Sequence, residues 1–137
     1  MHDPDEIITV FRVSGKNFDV SKFLKQSNWN VGRHWVQGYM HPVRKKIADN
    51  SGFNYDICTK GSYPKDFEKH IKEIRKFLQK NRIVLKKLKR KPSISEIDIG
   101  VIGTESSKVC MYQAHFEPEL LKLAAGLGIT LKVSVYL

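Results

Sequence analysis

Glu6 to Val13 (EIITVFRV) is β-branched and aromatic, carries apolar residues at both odd and even positions, and stops at Ser14-Gly15. A strand that buries both faces has neighbours on both sides, so this segment predicts a central strand. Asp19 follows as a helix cap for a short helix whose apolar side is Val20, Phe23 and Leu24. Asn28 to Gly32 reads as a turn, and His34 to Met40 (HWVQGYM) as a second strand. Pro42 to Ser51 is basic and then polar, without periodicity. Phe53, Tyr55 and Ile57 alternate with Asn54, Asp56 and Cys58, the period of a strand with one buried face.

Beyond Gly61-Ser62 and Pro64 the spacing becomes helical. Phe67, Ile71, Ile74, Leu78, Leu85 and Leu88 recur at about 100° per residue. Lys69, Lys72, Lys76, Lys80, Lys87 and Arg90 fall on the opposite side. Asn81 is a place for the helix to break, and Pro92 ends it. Ile97, Ile99 and Val101 then alternate with Glu96, Asp98 and Gly100, which predicts a strand with the two acids facing solvent. Gly103 to Lys108 reads as a hairpin loop, with Val109 to Phe116 as the returning strand. Glu117-Pro118-Glu119 opens a helix through Leu120, Leu121, Leu123 and Ala124, closed by Gly126 and Gly128. Ile129 to Leu137 alternates cleanly to the C-terminus.

The expected order is β-α-β-β-α-β-β-α-β. It predicts one α+β domain over residues 1–137, a two-layer structure with a mostly antiparallel sheet and helices packed on one face. Alternating strands support this, because a fully covered parallel sheet would read as continuous apolar runs.

Charge changes the picture at one place. Twelve of the 24 Lys and Arg lie between Lys65 and Lys91 against three acids, Asp66, Glu68 and Glu73, so this stretch holds +9 of the net +10. A charge run on a helix is commonly a solvated face. Its other reading is a footprint for a polyanion or an acidic protein. Lysine outnumbers arginine and no aromatic residues interleave with the lysines, so base reading and single-strand stacking are not signalled. Arg44, Lys45 and Lys46 form a second basic cluster. Arg33-His34-Trp35 is a third candidate, able to hold an anion or a ring, although a strand Trp more often packs beneath a helix.

Catalytic and metal chemistry find little purchase. His2, His34, His41, His70 and His115 show neither the i, i+4 spacing of a helical zinc site nor a neighbouring Cys at finger spacing. Ser106-Ser107 and Cys110 lack a nucleophile context, and Gly100 to Gly103 does not open a helix. Cys58 and Cys110 read as inert thiols rather than a disulfide framework. No cofactor is expected, nor an enzyme. The acidic start Asp3-Pro4-Asp5-Glu6 and the lack of a long apolar run predict a cytoplasmic protein without a membrane span.

Several landmarks together resemble a bacterial family, domain of unknown function 4279. They are Phe11-Arg12-Val13-Ser14-Gly15 with Phe18-Asp19-Val20, then Trp35-Val36-Gln37-Gly38, the long helix after Pro64, Glu117-Pro118-Glu119-Leu120-Leu121 through Leu123-Ala124, and the strand Leu131 to Tyr136. The resemblance runs over nearly the whole chain and is mostly structural. Because some members are encoded near bacterial toxin systems, it implies an immunity protein that neutralises a cognate toxin. The chain departs from the family in its basic long helix and in its Lys/Arg-rich segment before Ser51. The expectation is therefore a non-enzymatic protein-binding domain whose partner-binding residues are Lys69, Lys72, Lys76, Lys80, Lys87 and Arg90. Its alternative is a nucleic-acid-binding accessory domain using the basic helix over residues 65–91.

Overall fold

The computed structural model describes residues 4–40, 44–88, 92, 94–105 and 107–137. Its elements are β1 (Asp5–Gly15), α1 (Val20–Ser27), β2 (Arg33–Trp35), β3 (Ser51–Cys58), β4 (Ser62–Tyr63), α2 (Phe67–Lys80), α3 (Arg82–Lys86), β5 (Ile94–Ile102), α4 (Pro118–Gly126) and β6 (Thr130–Tyr136). The strands form one sheet in the order β2-β3-β1-β5-β6, with β4 pairing the start of β1. Every pairing is antiparallel except β5 with β6. The fold is thus α+β with a mostly antiparallel open sheet, as the alternating strands predict.

β1 is central because its residues can be buried from two sides. Ile7, Phe11 and Val13 are fully buried on the face that meets the helices. Ile8, Val10 and Arg12 alternate with them on the other face and are half-buried by neighbouring strands. The helix-side core is largely aromatic near β3. Phe11, Phe53 and Phe23 meet Trp29, Tyr55 and Phe77 with ring centroids 5.1–6.1 Å apart. Rings at such distances add roughly 0.5–1.5 kcal/mol per pair beyond burial.

Local signals act as their chemistry requires. Asp19 caps α1, its Oδ1 accepting from the Lys22 amide at 3.1 Å. The helix of the basic stretch breaks at Asn81. The Asn81 side chain donates back to the Phe77 carbonyl at 2.9 Å and accepts from Trp29 Nε1 at 3.1 Å. It thereby competes with the helix's own hydrogen bonds and ties the break to the aromatic core. Ahead of α2, Asp66 Oδ2 accepts from the Ser62 amide at 2.8 Å, which holds its carboxyl below the usual carboxylate range.

Three expectations change. The strand expected over His34 to Met40 is confined to Arg33–Trp35, since the chain turns at Gln37-Gly38, where Gly38 takes a positive φ. Val109 to Phe116 forms no strand. Both edges of β5 are already occupied, one by β1 and the other by β6 arriving through α4, so no edge is left for a hairpin partner. That segment is instead held through side chains, with the Tyr112 hydroxyl donating to Asp5 Oδ2 at 2.7 Å and the Gln113 backbone N–H donating to the Tyr63 hydroxyl at 2.7 Å. Finally, Asp98 is 3% exposed rather than solvated: Arg12 pairs with its carboxylate and Ser134 Oγ donates to it at 2.9 Å.

The Asp5 hydrogen bond raises the Tyr112 hydroxyl above its ordinary pKa near 10. A raised pKa means the hydrogen bond's contribution is complete below the unfolded value and fades as pH climbs through the folded one. In an ultraviolet titration one tyrosine should therefore ionise later than a free phenol. Tyr112→Phe should remove that late step and flatten the alkaline loss of stability. An unchanged titration in Tyr112→Phe would place the late tyrosine elsewhere.

Candidate functional site

The basic side chains of α2 stand away from the sheet because Phe67, Ile71, Ile74 and Leu78 occupy the facing side. Lys69, Lys72, Lys76 and Lys80 are all exposed. From Lys69 to Lys80 the row runs eleven residue steps along the helix, about 16 Å at the standard rise per residue. One acid approaches this row: Glu73 lies 3.8 Å from Lys76, whose side chain is 74% exposed. Such a surface pair contributes little, so the row keeps most of its charge. Arg75 leaves the row to pair with Glu117 at the start of α4.

The six residues expected to act together are divided by the break at Asn81. Lys87 caps the end of α3, where it lines a shallow hollow of about 110 Å³ with Lys22, Gln26 and Phe18. It therefore continues the charge toward α1 rather than along the α2 row. Arg90 lies outside the described residues.

A second basic site lies on the opposite face of the sheet, where no regular pattern pointed. β2 pairs antiparallel with β3, setting Arg33 across from Asn54 and Trp35 across from Gly52. Trp35 thus sits on the face without helices, contrary to the expectation that it packs beneath one. Its indole is fixed there. Nε1 donates to Asn50 Oδ1 at 2.7 Å, and the absent side chain of Gly52 leaves the space that its ring edge fills. Residues 36–40 and 44–50 run beside each other, with Met40 bridging Ile47 and the Ala48 amide donating to the Tyr39 carbonyl at 2.8 Å. The second of these segments carries Arg44 and Lys46 over the sheet.

The result is a cavity of about 610 Å³ between the sheet and the 44–50 segment. Arg12, Arg33, Arg44 and Lys46 line it together with Trp35, and the acid on its wall is Asp49. Arg12 is held by Asp98, while Arg33 and Lys46 have no ion pair among the described residues. Arg33 and Trp35 of one sequence cluster and Arg44 and Lys46 of the other, separate in sequence, thus supply one wall each, and Lys45 does not line the cavity. His34 is excepted, because the alternation of β2 turns it to the other face.

His70 is fully buried between Thr9 Oγ1 at 2.7 Å and the Lys60 carbonyl at 2.9 Å, out of reach of any substrate. Cys58 and Cys110 are free thiols. Among the described residues there is no cluster of three or more His, Cys, Asp or Glu able to hold a metal ion, and no helix is long and apolar enough to cross a membrane.

No curated protein and no solved structure matches the chain. A family model does: the domain of unknown function DUF4279 aligns with residues 5–137, essentially the full length, and the chain belongs to that family.

Proposed function

We propose that this chain is a non-enzymatic binding domain that docks an acidic protein surface on the lysine row of α2. We propose further that the partner is the toxin of a bacterial toxin–immunity pair. The observation that carries this reading is the row itself: four exposed lysines on one rigid helix, with one weak carboxylate pairing among them. The helix is held by a fully buried seam that includes Ile74 and Leu78, so its charges keep a fixed spacing. A fixed array of one sign steers association and rejects partners of the same sign. Inhibition would follow from steric cover of the toxin's working surface, which requires no chemistry from this domain.

The test begins with co-expression of the chain and the products of its neighbouring genes, scoring rescue of growth. Changing Lys72, Lys76, Lys80 and Lys87 together to Glu should slow association with the rescued toxin by about 10–100-fold and abolish rescue. The fold should be unchanged, because all four side chains are exposed. Rescue that survives the quadruple change removes the lysine row from the mechanism. Binding to duplex DNA or RNA, with affinity falling steeply as salt rises and lost in the same variant, would instead favour a nucleic-acid-binding domain.

A further inference from the structure

We propose that the cavity between the open sheet face and the 44–50 loop binds a small anion carrying a flat ring, of the nucleoside monophosphate class. This inference is independent of the lysine row, which lies on the other side of the sheet.

Four observations converge on it. The first is charge: three arginines and a lysine share one concavity with, among the described residues, a single acid on its wall, and Arg33 and Lys46 have no ion pair among the described residues. Like charges gathered in a concave site raise each other's energy, and an anion relieves them. The second is residue type. Arginine offers a planar fork that matches two phosphate oxygens, which the lysines of α2 do not. The third is rigidity. Arg12 stands on β1, Arg33 and Trp35 on β2 and Asn54 on β3, all within one hydrogen-bonded sheet. Trp35 is further fixed through Asn50. The fourth is size: about 610 Å³ lies within the range of small-molecule sites and is far more than a bare phosphate fills.

Trp35 supplies the platform that a ring would use, through its face or edge. Asn54, paired across from Arg33, also lines the cavity and adds a polar side chain beside it. A single aromatic residue suits one base. A single-stranded nucleic acid would call for a series of them along a groove.

Calorimetric titration of the full chain with AMP, inorganic pyrophosphate and adenosine separates the parts of this proposal. AMP should bind at least tenfold more tightly than either pyrophosphate or adenosine, because it alone engages both the arginines and the indole. It should also quench tryptophan emission, and Trp35→Phe should remove the quench while Trp29 remains. Arg33→Ala combined with Lys46→Ala should weaken AMP binding by about tenfold or more. Both side chains are exposed, so the unfolding midpoint should stay in place. Lys122→Ala, on α4, should leave the titration unaltered. The proposal is overturned if AMP fails to bind at millimolar concentration, binds no better than pyrophosphate, or binds the Arg33→Ala/Lys46→Ala variant as well as the parent.

Discussion

Replacing His70 by alanine is expected to cost about 3–5 kcal/mol of stability. The side chain is fully buried and bridges two parts of the fold, with Thr9 of the central strand on one nitrogen and the Lys60 carbonyl on the other. A carbonyl only accepts, so in the neutral ring Nε2 carries the hydrogen and Nδ1 accepts from the Thr9 hydroxyl. Alanine removes both bonds at once, strands two polar groups away from water and leaves a cavity against Thr9 and the first turn of α2. Urea denaturation should show a lower midpoint with an unchanged slope. Thr9→Val should cost less, because the Lys60 bond survives. The double variant should cost less than the sum of the single changes, since both remove the same Thr9–His70 bond. Equal and additive losses would mean that the two residues stabilise the fold separately.

Gly52→Ala should also be strongly damaging, costing about 3 kcal/mol, the upper end of the usual range for overpacking. A Cβ at this position would stand 2.3 Å from the Val13 carbonyl oxygen, 2.6 Å from Trp35 Cζ2 and 2.9 Å from Ser14 Cβ. The first obstacle is backbone in the central strand, and the second is a ring pinned by Asn50, so neither yields cheaply. The change should therefore lower the unfolding midpoint and, by dislodging the indole, alter tryptophan emission and weaken AMP binding. An unshifted midpoint would show that β3 can move away from β1 without loss. Gly32, whose added Cβ would meet nothing within 4 Å, serves as the control.

Much of this architecture is legible from local pattern. The two-sided apolar content of Ile7 to Val13 marks the central strand before any partner is known. The recurrence of Phe67, Ile71 and Ile74 at spacings of four and three, with Asn81 as a side chain that competes for the helix's hydrogen bonds, marks both α2 and its end. Local pattern fails where pairing decides. Val109 to Phe116 has strand-like residues, yet an edge on β5 is a property of the whole sheet, and β6 takes it from beyond α4. Asp98 alternates like a solvent-facing acid, and only the register that brings Arg12 and Ser134 beside it makes burial tolerable. The cavity is the least legible feature. Its arginines come from positions 12, 33 and 44 on different elements, and Trp35 faces it because of the pairing with Gly52. The one sequence signal was basic clustering on both sides of the Gln37-Gly38 turn, which shows composition without showing a shared wall.

The central place of β1 also sets a timetable for synthesis. Glu6 pairs with Ile102 and Ser14 with Ile94, so the first strand translated finds its longest partner only after some 90 further residues have been made. At about 5–20 residues per second that interval lasts roughly 5–20 s. Throughout it a stretch containing Ile7, Ile8, Val10, Phe11 and Val13 has at most one of its two eventual edges covered. Distant pairing of this kind slows folding and leaves a nascent chain open to association with its neighbours. The uncovered edge of β1 is therefore where association between nascent chains would begin.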